Sequence, residues 1–237
     1  MKHILIIDNT IDPEFWGSSD LVRVIQDQPE LKSTVFVRRA PERDLPSDLR
    51  KFDGVIVSGS KTGATDQGVW IDELLEMIRQ IVALQIPYLG VCYGHQMLNR
   101  ALYGLNHVRT AQKPEFGWSA IELFEPHPLF QGLPQRFHSY SSHYDEVCQV
   151  GEGMKVLARS ELCPIQACQF KDLPIFGVQF HPEKPLASCE KDLKKRLKTH
   201  TPPELLHPTE SQTLYHPHVG PFLFKNFLSL IDSRRSP

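Results

Sequence analysis

Apolar residues fall along the first hundred positions in two alternating patterns. His3-Ile4-Leu5-Ile6-Ile7, ended by Asp8-Asn9, is a continuous run that suits a strand buried on both faces. Thr34–Val37 and Phe52–Val57 repeat it, the second closing on Ser58-Gly59-Ser60, and Pro87–Val91 runs directly into Cys92. Between these runs the spacing changes. Leu21, Val22, Val24 and Ile25 predict a helix over 20–27, with Ser18, Ser19 or Asp20 available as N-cap. The clearest helix lies at 70–85, where Ile71, Leu74, Leu75, Ile78, Ile81 and Val82 recur at intervals of three and four. Helical periodicity resumes after Cys92 through Met97, Leu98, Ala101 and Leu102. Strands alternating with helices predict βαβ units and a doubly wound, mostly parallel α/β sheet.

From about 116 to 180 the pattern shifts to short strand-like runs at 121–124, 155–158, 165–170 and 175–180, which predict a mixed-sheet extension. Residues 184–220 are polar and contain Pro and His, and their composition argues against a core role. Within them Lys191, Lys194, Lys195, Arg196 and Lys198, with Leu193 and Leu197 one turn apart, predict a docked helix with a solvated basic face. Phe222–Ile231 predicts a closing helix that docks on the rest. No linker divides the first 185 residues, so 1–237 reads as one domain with 184–220 as an insertion before the last helix.

Composition narrows the class only a little. A net charge of -2 gives no electrostatic reason to expect nucleic acid or an anionic membrane as partner. No segment is long enough to span a bilayer, and no phosphate-binding glycine loop ending in Gly-Lys-Ser/Thr is present. Five cysteines, at 92, 148, 163, 168 and 189, are an odd number without framework spacing, which predicts reduced thiols in a cytoplasmic protein. Cys163 and Cys168 read as strand residues. His200, His207, His216 and His218 lack zinc-type spacing, so neither metal nor cofactor is expected.

Two local patterns carry chemistry. Gly90-Val91-Cys92-Tyr93-Gly94 has the form of a nucleophile elbow with Cys in the reactive place. Such a turn strains the backbone, and flanking glycines remove the Cβ atoms that would collide there. It also sets the thiol at a helix N-terminus, whose N–H groups favour thiolate. Far along the chain, Gly177–Glu183 carries His181 and Glu183 two residues apart at the end of the last predicted core strand. Residues two apart in extended chain point the same way, so the carboxylate can orient the imidazole. An imidazole in that position draws off the thiol proton and returns it to a departing amine. In open α/β sheets functional groups gather at the carboxyl ends of strands, where Cys92 and His181 both fall.

With these motifs in place, the chain resembles the class I, triad-type glutamine amidotransferase family. The matching pieces are Val57–Ser60, Gly90–Gln96, Ser142–Val147 and Gly177–Glu183, in the family's order. The resemblance implies a flavodoxin-like sheet and a glutamine or γ-glutamyl small molecule as substrate. It implies Cys92 as nucleophile, His181 as acid/base and Glu183 as its orienter, with the N–H groups of Ser60 and Tyr93 as the oxyanion hole. Gly59, Gln96 and the loop Ser142, His143, Tyr144 and Asp145 would touch the substrate.

There are departures. Gly59-Ser60-Lys61 stands where many members carry two glycines or Gly-Pro, and this form, followed by Trp70-Ile71, is more similar to the stand-alone branch that includes GMP synthase glutaminase domains and γ-glutamyl peptidases. Tyr144 occupies a common Gly position. Three functions stay open. The chain is a glutaminase feeding ammonia to a separate synthetase or acceptor protein, or a γ-glutamyl peptidase needing no partner, or a non-catalytic module of the same fold.

Overall fold

The computed structural model describes residues 1–198 and 205–232. In chain order the elements are β1 (Lys2–Asp8), α1 (Ser19–Gln26), β2 (Ser33–Arg39), β3 (Gly54–Val57), α2 (Val69–Ala83), β4 (Tyr88–Val91), α3 (Tyr93–Tyr103), β5 (Val108–Leu123), β6 (Arg136–Val147), β7 (Met154–Arg159), β8 (Ala167–Phe170), β9 (Ile175–Val178), α4 (Leu186–Arg196), α5 (Ser211–Leu214) and α6 (Val219–Asp232). One sheet holds nine strands in the order β2-β1-β3-β4-β9-β8-β7-β5-β6. The half from β2 to β9 is parallel and the wing from β8 to β6 is antiparallel. This is a doubly wound, flavodoxin-like α/β fold with a mixed sheet.

Strand alternation divides the core into two layers. Ile4, Ile6, Ile56, Leu89 and Val91 face α1 and α6, which contribute Leu21, Val24, Ile25, Phe224, Phe227 and Leu228. Leu5, Ile7, Val55, Val57 and Tyr88 face the opposite way, onto Leu74, Ile78 and Ile81 of α2 and Met97 and Leu98 of α3. Both faces of the parallel strands are therefore covered, which is why their sequences show no polar alternation. Stacking helices on both sides leaves the carboxyl ends of β3, β4 and β9 side by side.

The wing departs from expectation in three places. The run at 121–124 is only the end of the 16-residue β5. Ser142–Asp145, expected as a loop, lies within β6. Its inward positions are Ser139, Ser141, His143 and Asp145, all buried, so a strand that buries polar groups gives no hydrophobic alternation to read. Cys163 precedes β8 and only Cys168 lies in it; all five cysteines are free thiols.

Residues 184–220 also differ. Cys189 and Leu193 of α4 are buried in a small apolar cluster with Trp118 and Tyr140 of the wing, so the segment does take part in a core. Polar composition hid this because a few apolar side chains suffice to dock a short helix. His200 lies outside the described residues. At α1, Ser18 is the N-cap but makes no capping bond; its hydroxyl donates to Asp8 Oδ2 at 2.8 Å instead. Among the described residues no helix is long and apolar enough to cross a membrane.

Replacing Phe224, fully buried where α6 meets the sheet, with Ala should destabilise the fold by about 3–5 kcal/mol. Urea unfolding followed by circular dichroism would read this as a lowered midpoint at unchanged slope.

Candidate active site

Cys92 sits between β4 and α3 with φ 51° and ψ -102°, a left-handed conformation that a non-glycine residue rarely adopts. Its N–H donates to Val178 O at 2.8 Å and its carbonyl accepts from Gln96 N at 3.1 Å. Close packing makes the flanking glycines obligatory. A Cβ on Gly90 would lie 2.4 Å from the Gly94 carbonyl carbon, and one on Gly94 would lie 2.2 Å from Val57 O. The Tyr88 hydroxyl donates to Gly94 O at 2.8 Å and locks the turn from below. Tyr93 opens α3, where an N–H has no helical acceptor to meet.

His181 and Glu183 follow β9 by a few residues, in a turn and not in extended chain. Their alignment therefore comes from that turn, not from strand alternation. The Nδ1 of His181 bonds Glu183 Oε1 at 2.7 Å, and the His181 N–H donates to Tyr140 O at 2.8 Å. Arg23 of α1 donates to the Glu183 carbonyl at 3.0 Å and ties the turn to the helix layer. With Nδ1 engaged by the carboxylate, Nε2 is the ring nitrogen left to serve the Cys92 thiol.

Burial alone would suppress the charge on His181, but the Glu183 carboxylate and the Cys92 sulfur outweigh it and raise its pKa from 6.5 to about 10. The arrangement favours an imidazolium beside the Cys92 sulfur. The stabilisation from this charge is fully present below pH 6.5 and is lost as the pH rises through about 10.

The loop after β3 stands over both groups. A Cβ placed on Gly59 would meet His181 Cε1 at 3.0 Å and Cys92 Cβ at 3.6 Å. Ser60 is anchored by its hydroxyl, which donates to Asn9 O at 2.8 Å and accepts from Thr62 N at 3.0 Å. On the other side, the Ser142 carbonyl lies 4.0 Å from Cys92 Sγ. Tyr144 is exposed, with its ring packed edge-on against Phe116 at 4.7 Å.

Gln96, His143 and Asp145 form a buried layer behind the thiol. Gln96 donates to Asp145 O at 2.7 Å and to Gln179 Oε1 at 3.1 Å. Asp145 accepts from Ala64 N at 2.6 Å and from the Thr110 hydroxyl at 3.0 Å, which steadies the chain beyond Ser60. His143 bonds Asp145 O and Glu115 Oε2, each at 3.0 Å. Among the described residues, Glu115, His143 and Cys163 could bring ligand atoms within 4.8 Å of one another. The Glu115 carboxylate, however, also accepts from the Ser160 hydroxyl at 2.7 Å and from Gln166 at 2.5 Å, so it belongs to a closed hydrogen-bond network.

Two contributors escape the motif reading. Gln179 donates to Cys92 Sγ at 3.6 Å, and its parity with Gly177 and His181 was the available clue. Arg196, expected on a solvated face, turns inward and donates to Ser142 Oγ at 2.9 Å. Leu197, one residue on, is exposed and does not join the docked face.

A sequence model described as glutamine amidotransferase class-I matches residues 21–196. The chain belongs to the class-I glutamine amidotransferase family. Relatives include one subunit of the glutamine-hydrolysing GMP synthase of Pyrococcus abyssi, 45% identical over 98 residues, covering 41% of this chain and 51% of that protein. The corresponding subunit of Methanocaldococcus jannaschii is 32% identical over 153 residues, covering 65% of this chain and 76% of that one. The chain thus spans about half the length of the first of these relatives. Among solved structures, a glutamine amidotransferase from Thermotoga maritima has a TM-score of 0.74 at 20% identity, over 96% of this chain and 98% of that one. The glutamine amidotransferase of Methylobacillus flagellatus gives 0.71 at 22% identity, over 99% and 94%. These two likenesses concern the amidotransferase fold.

NMR titration of the His181 imidazole should show a midpoint near 10, with the charged form retained through neutral pH. Glu183→Gln removes the nearest anion and should move that midpoint down toward 6.5. A midpoint indifferent to the substitution would mean that Glu183 does not set the charge of His181.

Proposed function

We propose that this amidotransferase hydrolyses the γ-carboxamide of glutamine through a thioester on Cys92. The single observation behind the reading is the Cys92–His181–Glu183 constellation, in which a strained thiol at a helix N-terminus faces an imidazole bonded at 2.7 Å to a carboxylate. The thiolate attacks the γ-carbonyl carbon and a tetrahedral oxyanion forms. The N–H groups of Ser60 and Tyr93 hold that oxygen. His181 gives its proton to the departing nitrogen, the C–N bond breaks and ammonia leaves. Water then attacks the thioester, His181 takes a proton from it, and the C–S bond breaks to release glutamate.

In this reading Gly59, the Ser142 carbonyl and Tyr144 border the substrate, while Gln96, His143 and Asp145 hold those borders in place from behind. Because the relatives are named as one subunit of GMP synthase, a separate synthetase protein in the cytoplasm is the proposed receiver of ammonia. A γ-glutamyl peptidase is the second reading. It is favoured by the Gly59-Ser60-Lys61 form of the loop over the thiol and uses the same steps with an amine leaving in place of ammonia. Ammonia release from glutamine, enhanced by an added synthetase, supports the first. Amine release from γ-glutamyl peptides by the chain alone supports the second.

Cys92→Ala should abolish both reactions while preserving the circular dichroism spectrum. A glutamine-analogue electrophile should label Cys92 and none of the other four cysteines, as read by peptide mass mapping. Labelling at Cys163 or Cys189 would overturn the site.

His181→Ala should lower kcat by roughly a few hundredfold or more, because the imidazole itself moves the protons. Glu183→Gln should cost less, because the carboxylate only orients and stabilises that imidazole. Equal and negligible effects would contradict the constellation.

A further inference from the structure

Four cations of the α4 region, Lys191, Lys194, Lys195 and Lys198, are exposed, whereas Arg196 is half-buried against the wing. Its guanidinium carbon stacks 3.7 Å from the centroid of the Phe116 ring, with Tyr144 at 5.8 Å on its flank. Its Nη2 donates to Ser142 Oγ at 2.9 Å. The carbonyl of that same Ser142 lies 4.0 Å from Cys92 Sγ. One residue of β6 therefore touches the reactive thiol with its main chain and the guanidinium with its side chain.

Two features make this cation suited to recognition. Stacking on an aromatic face fixes the plane of the guanidinium, so little rotamer freedom is left to lose when a ligand binds. The planar fork of N–H donors matches a carboxylate in both charge and geometry, which an ammonium on a flexible stem does not. A γ-glutamyl compound whose γ-carbonyl is within reach of Cys92 carries an α-carboxylate at the other end of its side chain. A γ-glutamyl amino acid carries a second carboxylate on the leaving amine.

We infer that Arg196, delivered by α4 and held over Phe116, is the specificity-determining residue that receives a carboxylate of the substrate. The inference rests on the reading that Cys92 attacks a γ-glutamyl carboxamide. The competing role is a clamp that fastens α4 to β5 and β6, and it is separable because a clamp has no preference for charged ligands.

The test uses the full chain carrying Cys92→Ala, so that binding is read without turnover. Calorimetry would compare glutamine with its α-carboxamide, and γ-glutamylglycine with γ-glutamylglycinamide. With Arg196 present, the free carboxylates should bind at least about tenfold more tightly than their amides, as expected for a charge-assisted pair. Arg196→Gln should erase that preference by weakening the free carboxylates far more than the amides, and Arg196→Lys should restore part of it. The pair that loses its preference identifies which carboxylate is read. Equal weakening of all four ligands assigns Arg196 to clamping and overturns the inference. Absence of a carboxylate preference in the Arg196-bearing protein overturns it as well. If the Cys92-bearing chain releases neither ammonia nor amine while the preference still tracks Arg196, the hydrolytic reading falls and the carboxylate site stands.

Discussion

Cys92 holds its strained backbone only because three strands meet beneath it. A non-glycine residue in such a conformation costs on the order of 1–3 kcal/mol and persists where its surroundings over-determine it. Here β9 supplies Val178 O to the Cys92 N–H, β3 brings Val57 O against Gly94, and Tyr88 of β4 bonds Gly94 O. The sheet order β3-β4-β9 is thus a precondition of the elbow. The same order places Gly59, Cys92 and His181 on successive strand ends, so the strain and the constellation have a common origin. Any substitution that separates β3 from β4 would relax the turn and scatter the reactive groups together.

A second balance is electrostatic. Burial opposes charge on His181, and Glu183 with the Cys92 sulfur reverses that opposition. The reversal requires that neither partner drift, because attraction in a low-dielectric site falls with distance and every misplaced polar group there is costly. Gln96, Gln179, Asp145, His143 and Glu115 supply the restraint. They form a chain of buried hydrogen bonds from Cys92 Sγ to Ser160, linking α3, β5 and β6 with the approach to β8. Satisfied networks of this kind rigidify what they connect.

The parallel half was legible in the sequence because its strands are buried on both faces and its helices carry an ordinary apolar stripe; α2 was read at 70–85 and runs from Val69 to Ala83. The reactive residues were legible because an elbow and a His-x-Glu pair are dense local patterns. What escaped was written in polar residues. β6 buries Ser139, Ser141, His143 and Asp145, a set that periodicity assigns to solvent. For His143 and Asp145 the inward placement depends on hydrogen-bond partners distant in the chain, such as Glu115 for His143 and Ala64 for Asp145, and no local pattern encodes those. Arg196 escaped for the same reason: within a run of lysines, its contacts with Phe116, Tyr144 and Ser142 distinguish it, and all three lie far away in the chain.

Trp118, Tyr140 and the main chain of β5 give the described part of the 184–220 segment its place in the structure. Its described residues pack onto the wing. Cys189 and Leu193 sit fully or nearly buried against Trp118 and Tyr140, and Trp118 Nε1 donates to Ser211 Oγ at 3.0 Å. Leu206 exchanges main-chain hydrogen bonds with Phe116 O at 2.8 Å and Trp118 N at 3.0 Å. The chain can approach so closely only because Gly117, at φ 126°, carries no Cβ; one there would lie 2.0 Å from Leu206 O. Anchored at α4 and again at Leu206, the described parts of this segment hold Arg196 over the Phe116 ring. A cation delivered from a rigid element imposes its preference on every substrate that enters, because the geometry it presents is already paid for in folding.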